Sequence, residues 1–401
     1  PVQNSLKQIS RTDADDPAGQ RPKTSIDVAR PLYVGSEIYR KAAFGPNHPL
    51  NIVRHAAVVD LLKMLGWLDQ RDFRESRAAS LDELLEFHDR AYLRALQYAN
   101  STGTVDPTVR DRYQVGTFEN PLFEGLFERA AMTVGGSILA AELAVEGHTA
   151  FHPTGGTHHG RPDRASGFCY FNDPVFSILT LLKAGSERVL YLDLDAHHGD
   201  GVEDAFYEDP RVTTVSIHEQ KRWPFSGTHS HPHAAAFNFS VPAGFNDSEF
   251  NHIMEGAVLP LGETIQADGV VMCCGADSLA GDPLSHMLLS NVALWDAVDS
   301  VISLGAPTIV LGGGGYNPWT VTRYWAGLWG RISGREIPQT LPDEAQDYMR
   351  QMECDLIDDD DRDELWMTTM ADSPYPGKIR DEVKSMVREF RKYLVKIGNE
   401  G

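Results

Sequence analysis

Short apolar runs recur along the 401-residue chain, TAFHP, RVLYLDLD, RVTTVSIH, DGVVMCC and PTIVLGG, separated by longer stretches with apolar residues at helical spacing. The runs have the length and β-branched content of buried strands, and the best helical segments are 53–65, 81–98 and about 123–146. Buried strands alternating with helices predict an α/β fold, a mostly parallel sheet covered on both faces. Strand order cannot be read from this pattern, and no internal repeat stands out. Residues 1–30, with DADDPAGQRPK, read as a polar arm. Residues 31–335 hold the strand–helix alternation, and 336–401 carry DLIDDDDRDE and then a basic-rich helical segment near 381–396, an extension expected to pack on the domain.

Composition narrows the partners. No run reaches the roughly 18 apolar residues that would mark a membrane span, and the N-terminal stretch lacks a basic-then-apolar signal pattern, so no membrane association is expected. A formal charge of −21 disfavours nucleic acid, whose phosphates need clustered Lys and Arg, and attracts basic peptides. Four cysteines, of which Cys273 and Cys274 are adjacent in an apolar run, suit reduced thiols in a cytoplasm. The oligomeric state is not fixed, and a homo-oligomer stays open.

The chemistry concentrates in RVLYLDLDAHHGDG, residues 188–201. Alternation along a strand would aim Asp193, Asp195 and His197 the same way, toward the carboxyl end where ligands bind in open α/β sheets. Two carboxylates and an imidazole together repel and desolvate one another unless a cation or hydrogen-bond partners compensate. Other segments could converge on the same place: the tandem His158 and His159 in GGTHHGRPDRASGFCYFND, Asp277 in CCGADSLAGDP, Tyr316 after four glycines in LGGGGYNPW, and HEQKRWPFSGT. Singly, each has an ordinary structural reading as a surface histidine pair, a helix cap or a turn. The glycine run lacks the lysine of a phosphate-binding loop and is better read as a close-approach loop presenting Tyr316.

Jointly, HPLNIVRH, GGTHHGRPDRASGFCYFND, YLDLDAHHGDGVEDAF, TVSIHE, GADSLAGDP and LGGGGYN resemble the histone deacetylase family, including bacterial acetoin-utilisation-type deacetylases, over roughly residues 33–331. The resemblance implies an arginase/deacetylase-like fold with a central eight-stranded, mainly parallel sheet and the site at the strands' carboxyl ends. It places the ligands of one catalytic metal on Asp195, His197 and Asp277. Zinc is expected, with iron(II) or another divalent ion also accepted by such a set. Asp193 and Asp200 become the carboxylate partners of His158 and His159. The implied reaction is hydrolysis of the amide of N-acetyl-lysine in a protein or peptide by metal-activated water, with His159 as general base and acid, His158 as electrostatic support and Tyr316 stabilising the oxyanion.

The resemblance also assigns a substrate channel to Gly167, Phe168 and Phe225, with Leu284 at its mouth and Glu119 where the family usually has an aspartate that bonds the substrate backbone. It matches Arg54 to an arginine of an internal acetate channel, against a helix-anchoring salt bridge as the plainer alternative. It further implies a structural potassium near Asp193, Asp195, His197, Ser216 and Ile217. A binuclear arginase-like enzyme would need further ligands where this chain has Gly199 and Leu279. A catalytically silent acyl-lysine binder would not need Tyr316 and both histidines. An acetylpolyamine or other small acylamine, or a longer-chain acyl-lysine, is the alternative substrate; Leu284, where polyamine-selective relatives tend to carry glutamate, favours protein or peptide.

Overall fold

A computed structural model describes residues 30–400, the side chains of 398–400 excepted, so the N-terminal arm, save Arg30, lies outside the described residues. Eight parallel strands form one sheet: β1 (Leu32–Gly35), β2 (Phe73–Glu75), β3 (Ala150–His152), β4 (Val189–Asp193), β5 (Val212–Glu219), β6 (Ala236–Val241), β7 (Gly269–Cys273) and β8 (Thr308–Leu311). The order across it is β2-β1-β3-β8-β7-β4-β5-β6. The five apolar runs supply β3, β4, β5, β7 and β8. The pattern did not single out β1, β2 and β6, which lie toward the two edges of the sheet; the first two are short, and β2 is only partly buried.

Helices cover both faces, as a parallel sheet requires. Helices Leu126–Val145 and Asp173–Lys183 pack on one side around Val189, Tyr191, Val271 and Ile309; helices His55–Met64, Asn291–Ile302 and Pro318–Ile332 close the other around Leu190, Met272 and Val310. On the last of these helices Trp319, Trp325 and Trp329 are buried, and each indole N–H finds a backbone carbonyl, those of Met349, Cys274 and Trp67. Truncating any one to alanine costs about 3–5 kcal/mol by the usual core scale.

The expected helix over 81–98 is two, Leu81–Leu84 and Arg90–Thr102. The apolar period continues across the break because both pieces bury one face, Leu84 with Tyr92, Leu93 and Leu96. The break lets His88 turn inward and Asp89 donate its N–H to Pro162 O (2.8 Å). Beyond residue 332, helix Asp381–Glu400 buries Val383, Val387 and Phe390 in the larger core cluster.

Candidate active site

Strands β3, β8, β7 and β4 are neighbours, and their register sets His152 level with Leu311, Leu311 with Cys273, and Cys273 with Asp193. Just past these level ends the chain delivers His158 and His159, Tyr316, Asp277, and Asp195 with His197. Simple strand alternation does not aim the last pair, because β4 ends at Asp193. A turn aims them, held by N–H donation from Asp195 to Asp193 Oδ1 (3.1 Å), from Ala196 to Asp277 Oδ1 (2.8 Å) and from His197 to Asp195 Oδ1 (2.9 Å).

His197 Nδ1 lies 2.9 Å from Asp277 Oδ2 and 3.2 Å from Asp195 Oδ1. Donor atoms on a tetrahedral zinc, at about 2.0–2.1 Å bonds, stand roughly 3.3 Å apart, so the three side chains fit one such ion. Electrostatics agree. Burial and the charge of Asp195 push Asp277 up to about 6; burial would also raise Asp195, but His158 and His197 hold it down. Burial would lower His197, but the two carboxylates drive it up to about 10. Two carboxylates crowding one imidazole in a buried site are what a divalent cation relieves. Gly314 closes the back, donating its N–H to Asp195 Oδ2 (2.7 Å), and a Cβ there would strike Asp277 Oδ2. A second group within ligand reach, His158, Asp195 and Cys273, is a poorer holder. His158 Nδ1 is taken by Asp193, and burial keeps the Cys273 thiol protonated. No second metal is supplied from the arginase-like positions, since Gly199 has no side chain and Leu279 is buried in the core.

The tandem histidines each donate Nδ1–H to a carboxylate at 2.7 Å, His158 to Asp193 and His159 to Asp200, which leaves both Nε2 atoms free of that role. The carboxylates differ. Asp193 is fully buried and receives the Tyr191 hydroxyl (2.6 Å), whereas Asp200 also pairs with the guanidinium of Arg161. Burial would lower His158, yet Asp193 and Asp195 raise it to about 9. Burial and neighbouring His158 lower His159 to about 4. One imidazole is built to be charged and the other to be a neutral base. The loop carrying them rests on buried His88, whose Nδ1–H donates to Arg161 O (3.0 Å) and whose Nε2 accepts Asn172 N–H (3.3 Å); Asn172 Nδ2 in turn bonds His158 O (3.0 Å).

Two adjoining cavities share His159, Gly167, Phe168, His197 and Tyr316. The outer one also takes in Glu119, Lys221, Arg222, Trp223, Phe225 and Leu284, so every expected channel residue lines one opening. The inner one reaches past Asp195 to Arg54, His55 and Arg129. Arg54 makes no ion pair among the described residues and so is not a salt-bridge anchor. It donates to Gly315 O (3.0 Å) and Gly313 O (3.2 Å) of the glycine loop. Of the positions matched to potassium, Ser216 pairs in register with Asp193, and Ile217 is next on β5.

Sequence reasoning missed Trp223, whose ring stands edge-on to His159 at 4.6 Å, and Asn120, which accepts the Phe168 N–H (2.9 Å). Gly167, at φ +54, sits where a Cβ would enter the Trp223 ring. The aromatic-rich RWPF turn was the available signal for Trp223; Asn120 had none.

Comparison with known proteins agrees with this geometry. The chain matches the histone deacetylase domain over residues 48–332. It is 34% identical over 330 residues to the acetoin utilization protein AcuC of Bacillus subtilis, covering 78% of this chain and 84% of that one. It is likewise 34% identical to histone deacetylase 8 of Xenopus tropicalis, over 78% of this chain and 86% of that one. The crystal structure of an HDAC homolog from Aquifex aeolicus superposes with a TM-score of 0.86 at 32% identity, covering 90% of this chain and all of that one, and an HDAC homolog complexed with SAHA gives the same values. An eight-stranded parallel sheet with these groups at its carboxyl ends defines the arginase/deacetylase fold. The chain belongs to the histone deacetylase family, a family of metal-dependent deacetylases acting on acetylated substrates.

Proposed function

We propose that this protein hydrolyses the amide of N-acetyl-lysine in proteins or peptides. The observation that carries this reading is the convergence of His197 Nδ1 with two carboxylate oxygens at 2.9 and 3.2 Å, facing the two His–Asp pairs and Tyr316 around one cavity. Asp195, His197 and Asp277 would hold the divalent cation, zinc by preference and iron(II) as the alternative; when bound it polarises the acyl carbonyl and acidifies water. His159, neutral with Nε2 free, accepts the proton of the attacking water and passes it to the leaving amine. His158, held cationic by Asp193, stabilises negative charge developing beside it. The Tyr316 phenol, kept protonated by burial and the carboxylates around it, donates to the oxyanion. Phe168, Phe225 and Gly167 form flat walls that suit the apolar stem of lysine. Arg54, a cation at the inner end with no ion-pair partner among the described residues, suits departing acetate. Asp193, Asp195, His197, Ser216 and Ile217 are proposed to hold potassium, which would offset the aspartates.

Glu119 at the mouth favours a second reading, an acetylated polyamine whose distal ammonium it would pair, whereas apolar Leu284 beside it favours a peptide. Buried free cysteines and the bacterial relative support a cytoplasmic location, and no helix among the described residues is long and apolar enough to cross a membrane. Steady-state rates on acetyl-lysine peptides, longer acyl-lysines and acetylpolyamines, with metal content measured on the same protein, test the proposal. Acetate release from the peptide that stops on chelation and returns with zinc is expected. No turnover of any acetylated amine by metal-loaded protein would refute it.

A further inference from the structure

The matched domain ends at residue 332, yet the chain beyond it reaches the loop of Tyr316. Two groups hold the Tyr316 peptide: Asp282 Oδ2 accepts its N–H (2.7 Å), and Cys354 Sγ donates to its carbonyl (3.6 Å). The other oxygen of Asp282 accepts the N–H of Leu284 (2.9 Å), so one carboxylate serves both the phenol's backbone and the channel mouth. Trp366 locks the turn that carries Asp282. Its ring fills the space where a Cβ on Gly281 (φ +89) would stand, and Asn317 Nδ2 reaches the Gly281 carbonyl (3.0 Å). The same ring stacks on Trp319, three residues after Tyr316, with centroids 6.2 Å apart and planes at 20°. Trp319 is also held by Met349 O (2.9 Å) and by the Arg362 guanidinium 5.0 Å over its ring.

We infer that Trp366 and Cys354, from the chain beyond residue 332, are positioning residues for Tyr316, acting through Gly281–Asp282, Trp319 and the Tyr316 carbonyl. The inference rests on the reading of Tyr316 as the oxyanion donor. A catalytic group displaced by about 1 Å can cost about a hundredfold, so this segment would set turnover from outside the cavity.

A double-mutant cycle tests it, because residues acting as one unit are not additive. Trp366→Ala is expected to lower kcat on a short acetyl-lysine substrate about ten- to a hundredfold with little change in KM, Trp366→Phe to recover most of it, and Trp366→Ala to have almost no further effect in a Tyr316→Phe background. An equal fold-loss in both backgrounds would overturn the inference, as would full activity of Trp366→Ala. Should that variant not fold, Cys354→Ala against Cys354→Ser runs the same cycle, with the smaller loss restored by serine. A crystal structure of the variant separates the two readings: an unmoved phenol sinks the positioning role whatever the activity, whereas an inactive native protein whose variant shows a displaced phenol sinks only the deacetylase reading.

Discussion

His158–Asp193 and His159–Asp200 are built on consecutive histidines, share one geometry and differ in surroundings. Asp193 is wholly buried and meets no cation other than His158 among the described residues; its remaining donors are the Tyr191 hydroxyl and the Asp195 N–H. Asp200 is shared with Arg161, itself paired to exposed Asp204. The His158 ring is 3.9 Å from that of His159, so a cationic His158 further disfavours a proton on its neighbour. Identical residue pairs thus acquire opposite protonation, which is how two imidazoles can divide base and electrostatic duties.

The contrast breaks most visibly in turnover. His159→Ala is expected to lower kcat about 10²–10⁴-fold, with His158→Ala the smaller loss in the same metal-loaded assay; equal losses would erase the division of labour. Next in size, Asp193→Asn and Asp200→Asn should each cost about 10–100-fold, the usual effect of removing a carboxylate that orients such a group. Asp193→Asn also lets His159 hold a proton at higher pH, because the neighbouring positive charge is lost. A pH–kcat/KM profile reads this as an acidic limb moved upward.

Arg161→Gln sharpens the comparison from the other side. Freed of its guanidinium, Asp200 pulls harder on His159, and the acidic limb should again rise, with a modest change in kcat at neutral pH; an unmoved limb would show that Arg161 does not tune this base. A separate effect is on stability. Burial holds His88 neutral, with its pKa lowered to about 3 against about 6.5 when unfolded. Its contribution is therefore complete above about 6.5 and is lost as pH falls toward about 3, since the unfolded chain takes up the proton first. Denaturant midpoints measured from pH 7 to 4 should fall less steeply in His88→Gln than in the native chain.

Much of this was legible before any coordinates. Buried-strand runs alternating with helical spacing dictate a covered parallel sheet, because that is how such runs satisfy their backbone and hide their side chains. The tandem histidines, the aspartates and Tyr316 carry their chemistry in their residue types, and the motif order marked them together. Their convergence needed more. The order β3-β8-β7-β4 makes neighbours of segments far apart in sequence, and strand order is decided by long-range pairing that local periodicity does not encode. The break before Arg90 was hidden because both helical pieces bury the same face. Asp195 and His197 are aimed by a turn whose bonds come partly from Asp277, in the loop that follows β7. The unequal fates of His158 and His159, the hold of Trp366 on the Tyr316 loop and the edge-on Trp223 all depend on burial and on partners distant along the chain. Composition and spacing set which groups are present; only the packed structure determines which charges stay uncompensated beside them, because electrostatics and close packing act through space.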